Sequence, residues 1–301
     1  MQKRKIKKYR KRDYMGLVYI APWLLGFLLL QLYPFVSSFI YSFTDYKFFN
    51  EPSFVGLKNY IRLFKLDPEF WGSLKVTLLY TVITVPGKLT MALFIATLLN
   101  RNVKGIGAIR TIYYLPSLFG GSVAVAILWK ILFMSDGAIN NILSSIHLPT
   151  VQWLGNGKSA VVTICMLEIW QFGSSMVMFL AALKQVPASL YEAASLDGAG
   201  SVKKFFSITL PQITPIIFFN LIMQTITALQ NFTSAFVVTG GGPNKATYVL
   251  GMKLYTDAFG YYKMGYACAT SWVIFAMVMV VTLLLFRFSS GKIYYEDGGD
   301  F

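Results

Sequence analysis

The sequence predicts an all-α integral membrane protein of six transmembrane helices. Hydrophobic residues make up 55% of the 301, only 13% are charged, and mean hydropathy is +0.56, a balance that soluble domains of this length do not show. The apolar residues gather into six runs. A helix needs about 20 apolar residues to cross roughly 30 Å of hydrocarbon. Hydrocarbon offers backbone groups no partner, so helices, which pair them internally, are the expected spanning element.

Residues 1–13 form a basic tail, and residues 14–301 carry the membrane domain. The first span lies in the uncharged run Tyr14 to Thr44, and the second in Val76 to Asn100, interrupted by Lys88. The third follows Arg110 and runs through Trp129, and the fourth runs from Ser159 to Leu183 with Glu168 inside it. The fifth lies in Phe205 to Asn244, a run longer than one span that must also hold a loop; the sixth runs from Met264 to Phe286. Between the first two, Val55, Leu57, Tyr60, Ile61 and Phe64 fall near helical spacing opposite Lys58, Arg62 and Lys65, which predicts an amphipathic helix at the membrane surface. A short apolar helix is expected at Ile139 to Ile146, and irregular backbone at Gly240-Gly241-Gly242-Pro243-Asn244.

Positive residues stay on the cytoplasmic side. Lys3, Arg4, Lys5, Lys7, Lys8, Arg10, Lys11 and Arg12 precede the first span, and an even number of spans returns the C-terminus to the same side, so both termini are placed in the cytoplasm. On that topology sixteen Lys and Arg are inside and ten outside, with Lys88 in the membrane. The net charge of +14 is concentrated in this tail, where attraction to anionic membrane lipid accounts for it without nucleic acid. The first run is too long for a signal-peptide core and lacks a clear cleavage site, so an uncleaved helix is expected. Cys165 and Cys268 both fall in spans and predict no disulfide.

Between the fourth and fifth spans the chain reads EAASLDGAGSVKKFFSITLP. Glu192-Ala193-Ala194 is followed after three residues by Gly198 and after nine more by Ile208-Thr209-Leu210-Pro211. Ser189 and Glu192 have the spacing of a capping box, Gly198 suits a left-handed helix end, and Ser201 can cap a second short helix. Pro211 is then expected to open the fifth span. This pattern resembles the "EAA" loop of ABC-importer membrane subunits. The stretches FVGLKNYIRLF, RTIYYLP and FVVTGGGPNKATYVLGMKLYTDAF are similar to the maltose-type carbohydrate permeases, in particular the larger-subunit type. The resemblance covers nearly the whole chain and implies the type I ABC-importer transmembrane fold, its first helix wrapping a partner. It implies a permease in the plasma membrane, working with a sister permease, two ATPase subunits, an extracellular sugar-binding protein and a sugar substrate. It also implies that loop 184–211 couples to the ATPase through Leu190, Tyr191, Glu192, Ala193, Ala194, Asp197 and Gly198.

Gln224, Thr227, Ala228 and Asn231 follow the i, i+3, i+4, i+7 spacing of one helix face. Amides and hydroxyls within a span serve interhelical hydrogen bonds or a polar ligand. Counted from Glu192 on the maltose-type pattern, these positions match the sugar-contacting face of the fifth core helix. Trp170, Gln171 and Ser174 offer a second candidate surface in the fourth span. Lys88 and Glu168 are costly in a bilayer, so each must face a cavity or find a partner; an ion pair between them is one hypothesis, and the sequence leaves open whether they pair.

Gly157-Lys158-Ser159 resembles the end of a phosphate-binding loop, but Gln152 stands where the motif needs its first glycine. His147, the only histidine, has no second ligand near it in sequence. No nucleophile triad or metal-ligand cluster has credible spacing, so the chain is expected to be no enzyme and to hold no cofactor. Two alternatives stay open. One is an importer permease for another solute of the glycerol-phosphate type, which would want more cationic cavity residues; the other is a secondary transporter, for which neither inverted repeat nor paired broken helices is evident.

Overall fold

The computed structural model describes residues 15–289 apart from 49, 102 and 103, and side chains other than that of Leu17. The basic tail, Tyr14 and Lys292 lie outside the described residues. Three helices are long and apolar enough to span a membrane: α1 (Val18–Ser42), α3 (Pro68–Leu99) and α13 (Met264–Ser289). The other three predicted spans are bent pairs, so there are six spans if each pair counts as one. These are α4 (Ile106–Leu118) with α5 (Val123–Leu132) at 101°, α7 (Gly157–Trp170) with α8 (Gly173–Gln185) at 43°, and α10 (Ser201–Gln212) with α11 (Thr214–Leu229) at 66°. Short helices complete the chain: α2 (Lys58–Ile61), α6 (Ala138–Ser145), α9 (Ala188–Leu196) and α12 (Leu250–Tyr255).

Each bend has a local cause. Between α4 and α5 stand Gly120 and Gly121, the latter at φ +72°, a left-handed backbone that ends a helix. Between α10 and α11 the break falls at Ile213 and Pro215 occupies the first turn of α11, so the helix restarts there, four residues beyond Pro211. The α7–α8 break falls where backbones touch: a Cβ on Gly173 would lie 2.6 Å from the Tyr113 carbonyl oxygen.

At the centre, α3 packs on α7, α8, α11 and α12. Tyr80, Ala92 and Ala96 of α3 meet Ile164, Cys165, Met176 and Phe179 in one buried cluster. The threonines of α3 satisfy themselves: Thr77, Thr81 and Thr84 donate to carbonyls one turn back, at 2.7–2.8 Å. Thr77 also accepts from the Leu250 amide at 2.9 Å, which fixes the start of α12. By contrast α1 buries almost nothing; it lies along α13, where Trp272 meets Phe35 and Phe39 in tilted and edge-on contacts and donates to Ser38 Oγ at 3.2 Å.

The segment before α3 leaves part of its apolar face outward. Leu57, Ile61 and Phe64 are exposed, whereas Leu63 and Phe70 are buried. The turn Arg62–Leu66 winds wider than an α-helix and turns Leu63 inward.

One buried ionic cluster ties three segments together. Asp67 caps α3 through Oδ1 and receives Lys253 Nζ at 2.6 Å and the Tyr266 hydroxyl at 2.5 Å on Oδ2, while Asp257 holds the same ammonium at 2.9 Å. Burial pushes the Asp67 carboxyl up, but the bonds from Lys253 and Tyr266 outweigh it and leave it below the usual range; burial leaves Asp257 above it. Lys253→Met is expected to destabilise the chain by about 3 kcal/mol, since two buried carboxylates then face each other unneutralised. Thermal unfolding in detergent checks this, and an unchanged midpoint would refute it.

Candidate functional site

Two helix breaks meet across a cavity. A Cβ on Gly120 would sit 3.4 Å from Gln171 Oε1, which places the α4–α5 bend against the α7–α8 break. The space between them, closed by the end of α11, has a volume of about 490 Å³. Its wall combines amides, hydroxyls and glycine backbone with the apolar side chains of Ala126, Leu167 and Phe232, and Lys88 and Glu168 are its charged members.

The two intramembrane charges pair: Lys88 Nζ lies 2.7 Å from Glu168 Oε1, linking α3 to α7, with side chains 8% and 20% exposed. Of the seven candidate contacts, Gln171, Ser174, Gln224, Thr227 and Asn231 line the cavity. Gln224 Nε2 donates to Ser175 Oγ at 3.3 Å. Asn231 accepts from Ser234 Oγ at 2.8 Å through Oδ1, while its Nδ2 is buried with no protein acceptor.

Ala228 and Trp170 do not line the cavity. Ala228, one turn beyond Gln224 within α11, is 5% exposed and packs in the main core instead. Trp170 lies outside the wall with its ring 5.5 Å from that of Trp129. Sequence spacing missed Ser117, Gly120, Gly121, Ser122, Gln230, Thr233 and Ser234, all of which line it. The Gly-Gly-Ser interruption of the third apolar run was the available signal, since irregular backbone at membrane depth persists only where protein or a cavity surrounds it.

A second feature stands off the bundle. Helix α9 has no buried residue. Gly198 adopts φ +74°, and two bonds close the helix end: Ala199 N to Ala194 O at 2.9 Å and Gly198 N to Ser195 O at 3.1 Å. The capping box does not form; Pro187 occupies the cap, and Ser189 falls inside the first turn without a side-chain cap bond. Gly200, extended, precedes α10, so Ser201 is its first residue and not its cap. Leu190, Glu192, Ala193, Asp197 and Gly198 are exposed, Ala194 is half-buried, and Leu196 is 91% exposed. Tyr191 turns inward, its hydroxyl 2.8 Å from Thr209 Oγ1.

Broken spans around a polar cavity, with a two-helix elbow projecting from the bundle, define a multi-pass membrane transport subunit. Residues 88–290 match the family described as binding-protein-dependent transport system inner membrane component. The chain is 46% identical over 297 residues to the probable ABC transporter permease protein YesP of Bacillus subtilis, covering 98% of this chain and 96% of that one. It is 34% identical over 289 residues to the trehalose/maltose transport system permease protein MalF of Thermococcus litoralis, covering 95% and 96%. The fold is similar to a chain in the crystal structure of a bacterial alginate ABC transporter in complex with an alginate pentasaccharide-bound periplasmic protein, at TM-score 0.80 and 24% identity, covering 93% of this chain and 95% of that one. This chain belongs to the family of binding-protein-dependent transport system inner membrane components. It is an ABC transporter permease, a transport component and not an enzyme.

Proposed function

We propose that this permease moves a sugar or oligosaccharide inward from an extracellular binding protein, paired with a sister permease and driven by two ATPase subunits. The observation that carries the reading is the elbow α9–Gly198–α10, whose Glu192-Ala193-Ala194…Gly198 spacing suits a knob that enters an ATPase cleft. Leu190, Glu192, Ala193, Ala194, Asp197 and Gly198 are assigned to the face that meets the ATPase, and Tyr191, which turns inward, to the coupling behind that face.

A saccharide is supported by relatives named for trehalose/maltose and lactose transport, and by a wall that sets amides and hydroxyls beside the apolar faces of Ala126, Leu167 and Phe232. Gln171, Ser174, Gln224, Thr227 and Asn231 are assigned to the sugar, with Ala228 and Trp170 backing the wall from outside it. Lys88 is the one cation on the described wall and is engaged by Glu168, which disfavours a phosphate ester. Both termini are placed in the cytoplasm on the positive-inside rule, with the basic tail on anionic lipid.

A pull-down of the tagged chain in mild detergent tests the assembly. A second permease and an ATPase are expected to co-purify, and Glu192→Lys is expected to release the ATPase alone. Recovery of the chain by itself, with the variant behaving identically, would remove the reading.

A further inference from the structure

Helix α9 buries no side chain of its own, so what it touches decides where its motion goes. Tyr191 is half-buried, and its hydroxyl meets Thr209 Oγ1 at 2.8 Å, eighteen residues on. Thr209 is 7% exposed, near the end of α10, and its carbonyl accepts the Ile213 amide at 3.2 Å. Ile213 is the residue at the 66° bend between α10 and α11 and is 1% exposed in the main core. From that bend α11 runs about 15 Å to Gln224 and on to Thr227, two residues of the cavity wall. The other side-chain bond between α9 and α10, Lys204 Nζ to Ser195 Oγ at 2.5 Å, is exposed to solvent and lies on the far side of Thr209 from the bend.

We propose that the Tyr191–Thr209 hydrogen bond is the contact through which displacement of α9 is passed to the α10–α11 bend and so to the cavity. Tyr191 is then a positioning residue that ties the elbow to the fifth span, rather than part of the surface that meets the ATPase. A tyrosine supplies what the link needs: a rigid ring long enough to leave an exposed helix, with a polar tip that stays paired once buried. The proposal rests on the reading that α9 docks on an ATPase, because that docking supplies the displacement. A two-state element biased from one end and read at the other is the physical content required of such a coupling.

The test uses the complete transporter in detergent, with Cys165→Ala and Cys268→Ala and a bimane label on Met223→Cys. Met223 is 47% exposed on α11, beside Gln224 but outside the cavity wall. The label is expected to respond to Mg-ATP in the parent. Tyr191→Phe and Thr209→Val should each cut that response roughly fivefold, the order set by losing one neutral hydrogen bond, while the ATPase stays bound and hydrolysing. The double variant should lose no more than either single, and Thr209→Ser should restore the response. A parent-level response in both singles, or losses that add in the double, overturns the proposal. Release of the ATPase by Tyr191→Phe also overturns it, because Tyr191 would then belong to the docking surface. A parent complex that purifies without any ATPase removes the docking reading itself, and the proposal with it.

Discussion

Glu168→Gln is expected to cost the folded chain about 3 kcal/mol, because it strands the Lys88 ammonium in a site where its side chain is 8% exposed. The attraction at 2.7 Å offsets the desolvation of both groups, and removing one partner leaves the penalty of the other uncompensated. Lys88→Met should cost less, since the Glu168 side chain, 20% exposed, keeps contact with the cavity. Thermal unfolding in detergent should fall by roughly 5 °C or more for Glu168→Gln, and uptake should fall with the amount of folded chain. Exchanging the pair, Lys88→Glu with Glu168→Lys, should recover most of what either reversal destroys. An exchanged variant no more stable than its single reversals would show that the pair does not act as a unit.

Gly198→Val should nearly abolish transport while leaving the bundle intact. At φ +74° a β-branched residue is strained by roughly 1–2 kcal/mol or more, and the cost falls on the closure of α9. No atom lies within 4 Å of where its Cβ would stand, so the effect is conformational and not a clash. The bonds from Ala199 to Ala194 and from Gly198 to Ser195 must break or distort, and the angle between α9 and α10 changes. Gly198→Asn, which tolerates left-handed backbone, should fall between glycine and valine. Uptake and ATP hydrolysis in membranes, with chain abundance as control, decide it. Full uptake with valine would refute the role of this joint.

Much of this was legible in particular residues. The run lengths located the three long apolar helices and the three bent pairs, and the glycine at 198 was read as left-handed from its distance past Glu192. The cost of Lys88 and Glu168 in a bilayer showed that each needed a cavity or a partner, and the fold supplied the partner across eighty residues of sequence. Where the reading failed, a competing local device had won: Pro187 took the cap assigned to Ser189.

The sequence by itself determined that the chain is helical and crosses a membrane, because composition and run length are summed over many residues and small errors cancel. It also determined the joint at Gly198, since φ above zero is a property of one residue and its neighbours. The tertiary structure alone decided the cavity. Its wall comes from the bend at Gly120–Ser122, the break at Gln171, and residues Gln230–Ser234 past the end of α11, which are brought together by the packing of α3 against α7, α8 and α11. It likewise decided that Ala228 is buried and Trp170 outside, and that the Tyr191 hydroxyl faces Thr209. A helical period reports which residues share a face only while the helix continues, and it says nothing about which other helix that face meets.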